Sequence, residues 1–215
     1  MTAASFDAVL FDFNGVLTTS PFAHMAQLGE DHGVGGQAVL EILLGPYDQD
    51  TDHPWHRYER GEITGSEYGI GLMTRAQEQG MEVDFTLLAG LMGKLVVHDV
   101  VLDRIRSLRA HGYRTGLVTN NVKDVSATWR AMVPLGELFD CVVDSSEVGM
   151  RKPNPAIYLH ALELLDVADP ARAVFLDDAP GNVAGAERAG LAAILVDSDQ
   201  PELALAELDA LLARS

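Results

Sequence analysis

The sequence predicts an α/β fold built on a doubly wound parallel sheet. Two observations lead to this prediction: short apolar segments of strand length recur along the chain, and longer helical segments alternate with them. The chain has 215 residues, of which 47% are hydrophobic, so it can form one large domain or a core domain with a smaller insertion. The five predicted strands are Val9–Phe11, Tyr113–Thr119, Cys141–Val143, Ala173–Leu176 and Ala193–Val196.

Helical segments separate these strands and carry recognisable start and stop signals. Gly112 and Gly190 follow two of the segments, as expected at helix ends. Asn154 precedes a third segment as an N-cap, with Pro155 in the first turn. The helices predicted between and after the strands are Val100–Ala110, Pro155–Leu165, Asn182–Ala189 and Pro201–Ala213.

Residues 20–96 separate the first strand from the next by far more than a usual strand-to-helix connection. Helix signals recur in this stretch, among them a capping box formed by Thr64 and Glu67. The predicted helices run from Pro21 to Gln27, from Gln37 to Leu44, from Thr64 to Gln79 and from Asp84 to Met92. We therefore expect an all-helical cap domain of residues 20–95 above the sheet, and a core domain of residues 1–19 and 96–215. Hinges are expected near 18–20 and 95–98.

Composition limits the possible partners. The chain carries 32 acidic and 15 basic residues, and its net charge of −17 repels a nucleic-acid backbone. No apolar stretch reaches the ~20 residues of a membrane span, and the N-terminus lacks the pattern of an export signal. We expect a cytoplasmic protein that binds neither nucleic acid nor membrane, and the oligomeric state stays open. Cys141 is the only cysteine, which excludes an internal disulfide.

Polar side chains follow four of the predicted strands. Asp12 ends the first, Thr119 and two asparagines end the second, Lys152 lies in a proline-rich loop after the third, and Asp177-Asp178 end the fourth. Each has a structural explanation alone: Thr119 could cap a turn, Lys152 could be solvated, and the Asp pair could cap a helix. Carboxyl ends of parallel strands share the edge where ligands bind, so the four together indicate a functional site.

The segments that carry these residues resemble the motifs of the haloacid dehalogenase superfamily. They are DFNGVL at 12–17, LVTNN at 117–121, GMRKPNPAIY at 149–158 and LDDAPGNV at 176–183. The stretch 56–63 and the GMRKP loop are similar to the branch of sugar-1-phosphate phosphatases and of the phosphatase domain of soluble epoxide hydrolases. The resemblance implies a Rossmann-like core with a cap, and a Mg²⁺-dependent phosphohydrolase that acts on a small phosphorylated metabolite.

The resemblance also implies roles for individual residues. Asp12 would be the nucleophile that forms an aspartyl-phosphate. Thr119 and the neighbouring amide of Asn120 would bind the phosphoryl oxygens, and Lys152 would neutralise charge on Asp12 and on the phosphate. The implied Mg²⁺ ligands are Asp12, the backbone carbonyl of Asn14, Asp177 and Asp178. Three carboxylates, one lysine and one Mg²⁺ sum to zero charge, so an acidic protein can accept a phosphate.

Asn14 departs from the family pattern. Most phosphatases of the superfamily have a second Asp there, which protonates the leaving oxygen and activates water. An amide does not transfer protons near neutral pH, and such catalysis is worth ~10² to 10⁴ in rate. Three explanations stay open. The leaving group needs little protonation, as in a sugar anomeric or acyl phosphate; His53 or His56 substitutes; or the protein, natural or engineered, is weakly active or inactive.

Two other functions compete with the phosphohydrolase. A metal-independent 2-haloacid dehalogenase also uses an Asp nucleophile, but the Asp177-Asp178 pair would repel the carboxylate of its substrate. A non-catalytic phospho-ligand-binding protein would keep the site and lose turnover, as Asn14 suggests. The polar and aromatic residues expected to face a ligand, or simply to pack the cap, are Tyr47, Asp48, His53, Trp55, His56, Arg57 and Tyr58.

Overall fold

The computed structural model describes residues 6–22, 35–78 and 95–213. A five-stranded sheet lies at its centre in the order β3-β2-β1-β4-β5. All four strand pairs are parallel, which confirms the predicted fold class. The strands are β1 (Ala8–Phe11), β2 (Arg114–Thr119), β3 (Cys141–Asp144), β4 (Ala173–Asp177) and β5 (Ala192–Leu195).

Both faces of β1 are buried, as expected for the central strand of a doubly wound sheet. Val9 and Phe11 pack into one apolar cluster, together with residues of the first and last helices of the sheet region. Ala8 and Leu10 point to the opposite face and pack into a second cluster. Alternate residues of one strand thus enter two cores, which explains why the segment has no polar alternation.

The bounds of the helices around the sheet lie close to the predicted bounds, and they differ where a side chain or a turn sets the end of a helix. The helix predicted from Asn182 begins two residues earlier, because Pro180 occupies its first turn. The connection from β2 to β3 forms short helices that the sequence analysis did not predict. The helices of this region are α4 (Asp99–Ala110), α5 (Ser126–Arg130), α6 (Leu135–Leu138), α7 (Ser145–Val148), α8 (Pro155–Leu164), α9 (Pro180–Arg188) and α10 (Pro201–Leu212).

Between β1 and α4, the described part of the long insertion contains α1 (Gly36–Leu44), α2 (Pro54–Glu59) and α3 (Gly65–Glu78). The predicted capping box is confirmed, because Glu67 accepts from the Thr64 backbone at 2.8 Å and Glu67 donates its own backbone N–H to the Thr64 hydroxyl at 3.2 Å. The short helix α2 was not predicted. The predicted helix 84–92 and most of helix 21–27 lie outside the described residues.

The two connections to the insertion run side by side. Thr19 donates its backbone N–H to Val96 at 2.9 Å, and His98 donates to Leu17 at 2.9 Å. This pairing coincides with the predicted hinges, while the division into two domains stays a prediction. Within the described ranges, no helix combines the length and apolarity needed to cross a membrane.

Candidate active site

Asp12 lies directly after β1, at the centre of the carboxyl edge of the sheet. Its backbone N–H donates to Leu176 at 2.9 Å, which continues the pairing with β4 by one residue. Its carboxylate accepts from the Phe13 backbone at 2.6 Å and contacts the Lys152 ammonium at 2.7 Å. Burial raises the pKa of the Asp12 carboxyl well above its usual value, and the charge of Lys152 opposes that rise.

Lys152 is fully buried between two carboxylates, so it is not a solvated surface lysine. Its Nζ lies 2.7 Å from Asp12 and 2.6 Å from Asp177. The side-chain amide of Asn120 fixes the lysine backbone from both sides, because it donates to the Lys152 carbonyl at 3.0 Å and accepts from the Lys152 N–H at 2.8 Å. The sequence therefore positions the ammonium through β2 as well as through its own loop.

Asp177 and Asp178 complete a group of three carboxylates. One oxygen each from Asp12, Asp177 and Asp178 lies within 4.8 Å of the others. Asp177 also accepts from the Ala179 backbone at 2.8 Å and from the Asn182 amide at 3.0 Å. Burial and the charge of Asp177 raise the pKa of Asp178 to about 7. One lysine does not balance three converging carboxylates, and this set of hard oxygen donors fits a Mg²⁺ ion.

The loop after Asp12 is shaped around Asp178. Gly15 has φ +80°, and a Cβ on it would lie 2.0 Å from an Asp178 carboxylate oxygen. Only glycine fits here, for both backbone conformation and space. The loop can therefore pass close to the carboxylate cluster, and it brings Asn14 with it.

Several buried polar atoms near the strand ends have no hydrogen-bond partner among the described residues, and the Thr119 hydroxyl and the Asn14 side-chain oxygen are two of them. Buried polar groups are normally paired, so an unpaired atom at this edge of the sheet is a candidate contact for a ligand. The Thr119 hydroxyl could therefore donate to a ligand that binds at this edge. The Asn120 side chain is occupied by Lys152, so a substrate contact from Asn120 would use its backbone N–H.

A second buried ion pair, which the sequence analysis did not single out, joins the insertion to the lysine loop. Arg151 Nε lies 2.7 Å from Glu59 Oε2, and both side chains are almost completely buried. Arg151 also donates to the Gln49 carbonyl at 2.6 Å, and the Tyr47 hydroxyl donates to Glu59 at 3.2 Å. A signal for this pair was present in the sequence, because Arg151 directly precedes Lys152 in the GMRKP loop and Glu59 lies within the stretch 56–63.

The two candidate histidines are buried and neutral. His56 accepts from the Thr51 backbone at 3.0 Å, and burial lowers its pKa to about 3. His53 accepts from the Trp55 backbone at 3.2 Å, and burial lowers its pKa to about 4. An imidazole with a pKa this far below 7 has no proton to give near pH 7 and is a weak base, so charge does not favour either histidine as the replacement for the missing Asp.

The polar and aromatic residues of the insertion were predicted either to face a ligand or to pack the cap, and the structure places some of them in each role. Tyr58 stacks on Tyr68 with ring centroids 5.4 Å apart, and Trp55 meets Tyr68 edge-on at 5.2 Å, so these rings pack within the insertion. Tyr47 and Asp48 instead line a cavity of about 510 Å³ that extends from Asp178. Arg57 forms an exposed ion pair with Glu62 at 3.3 Å.

Comparison with known proteins agrees with this geometry. The haloacid dehalogenase-like hydrolase family matches residues 6–190, a span that contains all four motifs. The chain belongs to this family of hydrolases. The sequence-based recognition, the fold and the assignment as a hydrolase are thereby confirmed.

Several curated proteins are similar over most of the chain. Acyl-CoA dehydrogenase family member 10 of Mus musculus is 33% identical over 97% of this chain, and bifunctional epoxide hydrolase 2 of the same species is 28% identical over 86%. The chain spans only 19% and 35% of these two relatives. Glyceraldehyde 3-phosphate phosphatase of Methanothermobacter thermautotrophicus is 30% identical, over 91% of this chain and 87% of its own length.

Solved structures share the fold. A predicted hydrolase of this family from Porphyromonas gingivalis has a TM-score of 0.66 and 25% identity, covering 95% of this chain and 98% of its own. A family enzyme of Bacteroides thetaiotaomicron in complex with magnesium and inorganic phosphate has a TM-score of 0.60 and 22% identity, covering 90% and 95%. The L-2-haloacid dehalogenase of Xanthobacter autotrophicus has a TM-score of 0.59 and 20% identity, covering 89% and 77%.

Proposed function

We propose that the protein is a Mg²⁺-dependent phosphohydrolase that acts on a small phosphorylated metabolite through an aspartyl-phosphate. The observation that carries this proposal is the Lys152 ammonium, held between Asp12 and Asp177 beside a third carboxylate at one edge of the sheet. The phosphatase among the full-length relatives supports the same reaction class. Residues 20–95 would act as the cap domain, and cytoplasmic location stays a prediction.

In the proposed reaction, one Asp12 oxygen attacks phosphorus while the bond from phosphorus to the leaving oxygen breaks. The second Asp12 oxygen would stay paired with the buried Lys152, whose charge opposes the effect of burial on the Asp12 pKa. The unpaired Thr119 hydroxyl would donate to a phosphoryl oxygen. Water then attacks phosphorus as the bond from phosphorus to the Asp12 oxygen breaks, which restores the Asp12 carboxylate and releases phosphate, with the proton of the water carried away on the phosphate product.

The metal would be held by Asp12, Asp177, Asp178 and the backbone carbonyl of Asn14. When bound, it would supply positive charge to the phosphoryl oxygens. Gly15 supports this role for the loop, because it allows the chain next to Asn14 to approach Asp178. The Asn14 side chain supplies no proton, so the substrate would carry a leaving group that needs little protonation.

The dehalogenase alternative is less well supported by the same geometry. A 2-haloacid brings its own carboxylate, and at this site it would meet Asp177 and Asp178 with one shared lysine. A phosphate with a divalent cation satisfies the same charges. The non-catalytic alternative has Asn14 in its favour and is decided by the assay below.

The first experiment tests the nucleophile. Asp12→Asn should abolish hydrolysis of p-nitrophenyl phosphate and acetyl phosphate in Mg²⁺, because an amide oxygen is a poor nucleophile, while the circular dichroism spectrum stays native. Asp199→Asn, at an exposed position in a loop, serves as the matched control. If Asp12→Asn keeps most of the wild-type activity, the proposed mechanism is wrong. No turnover by the wild type, with Mg²⁺ present, would favour the non-catalytic protein.

The second experiment tests the metal. Asp178→Ala removes a proposed ligand and should lower Mg²⁺ affinity and activity together, by at least about 10-fold in the Mg²⁺ concentration needed for half-maximal rate. Titration of Mg²⁺ by activity and by calorimetry gives the two readouts. Equal activity of the wild type in EDTA and in Mg²⁺ would contradict the proposal and favour the dehalogenase.

A further inference from the structure

A cavity of about 510 Å³ extends from Asp178 along α1 and the loop that follows it. This size lies within the usual range of small-molecule sites, roughly 300–1,000 Å³. Asp178 at one end connects the cavity to the carboxylate cluster, so the leaving group of a bound phosphate ester would enter it. The alcohol of a three-carbon metabolite would leave most of the space unfilled.

The wall of this cavity is mainly apolar. Phe22, Leu40, Leu44 and Pro46 line it, and the Phe22 ring packs edge-on against Tyr47 with centroids 5.0 Å apart. Tyr47 contributes its ring more than its hydroxyl, because the hydroxyl donates to the buried Glu59. The Arg151 guanidinium lies 5.2 Å from the centre of the same ring and is fully buried. The tyrosine is thus held in place as an aromatic surface.

The charged groups along this wall are all acidic. Glu41, Asp48 and Asp178 line the cavity, and no lysine or arginine does so among the described residues. The sequence itself has no lysine or arginine from residue 20 to residue 56. Arg75 lines an adjoining cavity of about 270 Å³, which shares Glu41, Gly45 and Pro46 with the first but not the carboxylate cluster. Arg151 is paired with Glu59. Asp178 belongs to the proposed metal site, so Glu41 and Asp48 are the charges that an anionic leaving group would meet, and no lysine or arginine of the described lining offsets them.

We propose that the cavity takes a phosphate monoester whose leaving alcohol carries no negative charge and presents a ring-sized apolar or aromatic face. This inference rests on the proposed function and specifies its substrate class. It excludes bisphosphates, phosphorylated carboxylic acids and nucleotides. Gln37 on α1 and Glu41 one turn later would be specificity-determining positions, since both line the cavity and both are exposed.

The test uses two substrates of one shape. 4-Carbamoylphenyl phosphate and 4-carboxyphenyl phosphate differ by one negative charge on the leaving group, and acetyl phosphate reports the phosphoryl-transfer site without filling the cavity. With Mg²⁺ present, we expect kcat/KM for the carbamoyl ester to exceed that for the carboxyl ester at least about 10-fold, which corresponds to about 1.4 kcal/mol. Leu40→Asn should raise KM for the carbamoyl ester several-fold, because it places an amide in the apolar wall.

A variant that adds one positive charge makes the test specific to this wall. Gln37→Lys adds a cation to the lining. It should lower the ratio of kcat/KM for the carbamoyl ester to kcat/KM for the carboxyl ester by at least about 3-fold. Gln77→Lys makes the same change at an exposed position of α3 that does not line the cavity, and it should leave the preference at the wild-type value. An equal effect of the two variants would mean that net charge alone sets the preference, which overturns the inference.

The remaining outcomes separate the two proposals. Equal kcat/KM for the two aryl esters, or a preference for the carboxyl ester, overturns the inference on the leaving group. Hydrolysis of acetyl phosphate without hydrolysis of either aryl ester also overturns it, and leaves the phosphohydrolase proposal standing. If none of the three substrates is hydrolysed, both proposals are overturned.

Discussion

The buried pair Glu59–Arg151 allows a sharp prediction, because its two side chains are 1% and 0% exposed. Glu59→Gln keeps the size of the side chain and an oxygen that can accept from Tyr47, but it removes the negative charge. Arg151 then stays buried with only the more distant and partly exposed Asp50, 3.9 Å away, as a counter-ion. We therefore expect Glu59→Gln to destabilise the folded protein far more than a surface substitution does.

The magnitude follows from the burial. Removing one partner of a buried pair costs roughly 3–5 kcal/mol, because the other charge keeps its desolvation penalty. At roughly 2–4 °C per kcal/mol for a protein of this size, the melting temperature should fall by roughly 6–20 °C. Arg151 also donates to the Gln49 carbonyl at 2.6 Å, and this bond offsets part of the loss. The lower half of the range is therefore the better expectation.

The assay is urea unfolding of a double-mutant cycle. Glu59→Gln, Arg151→Met and the double variant are compared with Glu62→Gln, which makes the same change in a partly exposed pair with Arg60. The control should cost no more than about 1 kcal/mol. The double variant should cost less than the sum of the single variants by about 2 kcal/mol, because it leaves no isolated charge.

Two results would refute this reasoning. One is a free energy of unfolding for Glu59→Gln that matches the value for Glu62→Gln, which would mean that the buried charge is solvated. The other is additivity of the two single variants, which would mean that the side chains do not interact. Either result would also mean that this ion pair contributes little to holding the insertion against the Lys152 loop.

Two further predictions concern protons. Asn14→Asp should restore an acid and base beside Asp12, the proposed nucleophile. The ratio of the turnover rates of an alkyl and an aryl phosphate, measured in the pre-steady state, should rise by about 10-fold or more. An unchanged ratio with an unchanged phosphoenzyme lifetime would contradict this prediction. Burial holds the pKa of His56 at about 3 in the folded protein, against 6.5 when unfolded, so the unfolded chain takes up the proton first as pH falls below 6.5. His56→Asn keeps an acceptor for Thr51. Between pH 7.5 and pH 5, the free energy of unfolding of this variant should fall by about 2 kcal/mol less than that of the wild type, as measured by urea unfolding. Equal falls in the two proteins would contradict this prediction.

Local sequence was sufficient to predict the sheet and the residues at its edge. Runs such as Val9–Phe11 and Ala173–Leu176 are apolar without interruption because neighbours cover both faces, and that pattern is visible without any tertiary information. Asp12 and Asp177 follow these runs directly, so their place at the sheet edge was predictable as well.

What could not be predicted depends on partners distant in the chain. The side-chain amide of Asn120 binds the backbone of Lys152, 32 residues later in the chain. Only the backbone N–H of Asn120 is therefore left for the predicted contact with a substrate. Arg151 resembles a surface residue until its partner Glu59 is known, 92 positions away. The short helices between β2 and β3 pack against the sheet and lack the length for a clear periodic signal.

The position of β1 has a consequence for how the chain folds during synthesis. Phe11 pairs with Leu117 on one side and with Leu176 on the other, so the first strand to be made has its second neighbour only when most of the chain exists. Until then one edge of β1 is open, and Asp12 lacks both Asp177 and the Leu176 carbonyl that binds its N–H. A nascent chain released before β4 would keep Asp12, the proposed nucleophile, and lose its surroundings, with an apolar edge free to pair with other chains. Hydrolytic capacity thus arises late in synthesis, from contacts that close over the greatest sequence separation in the sheet.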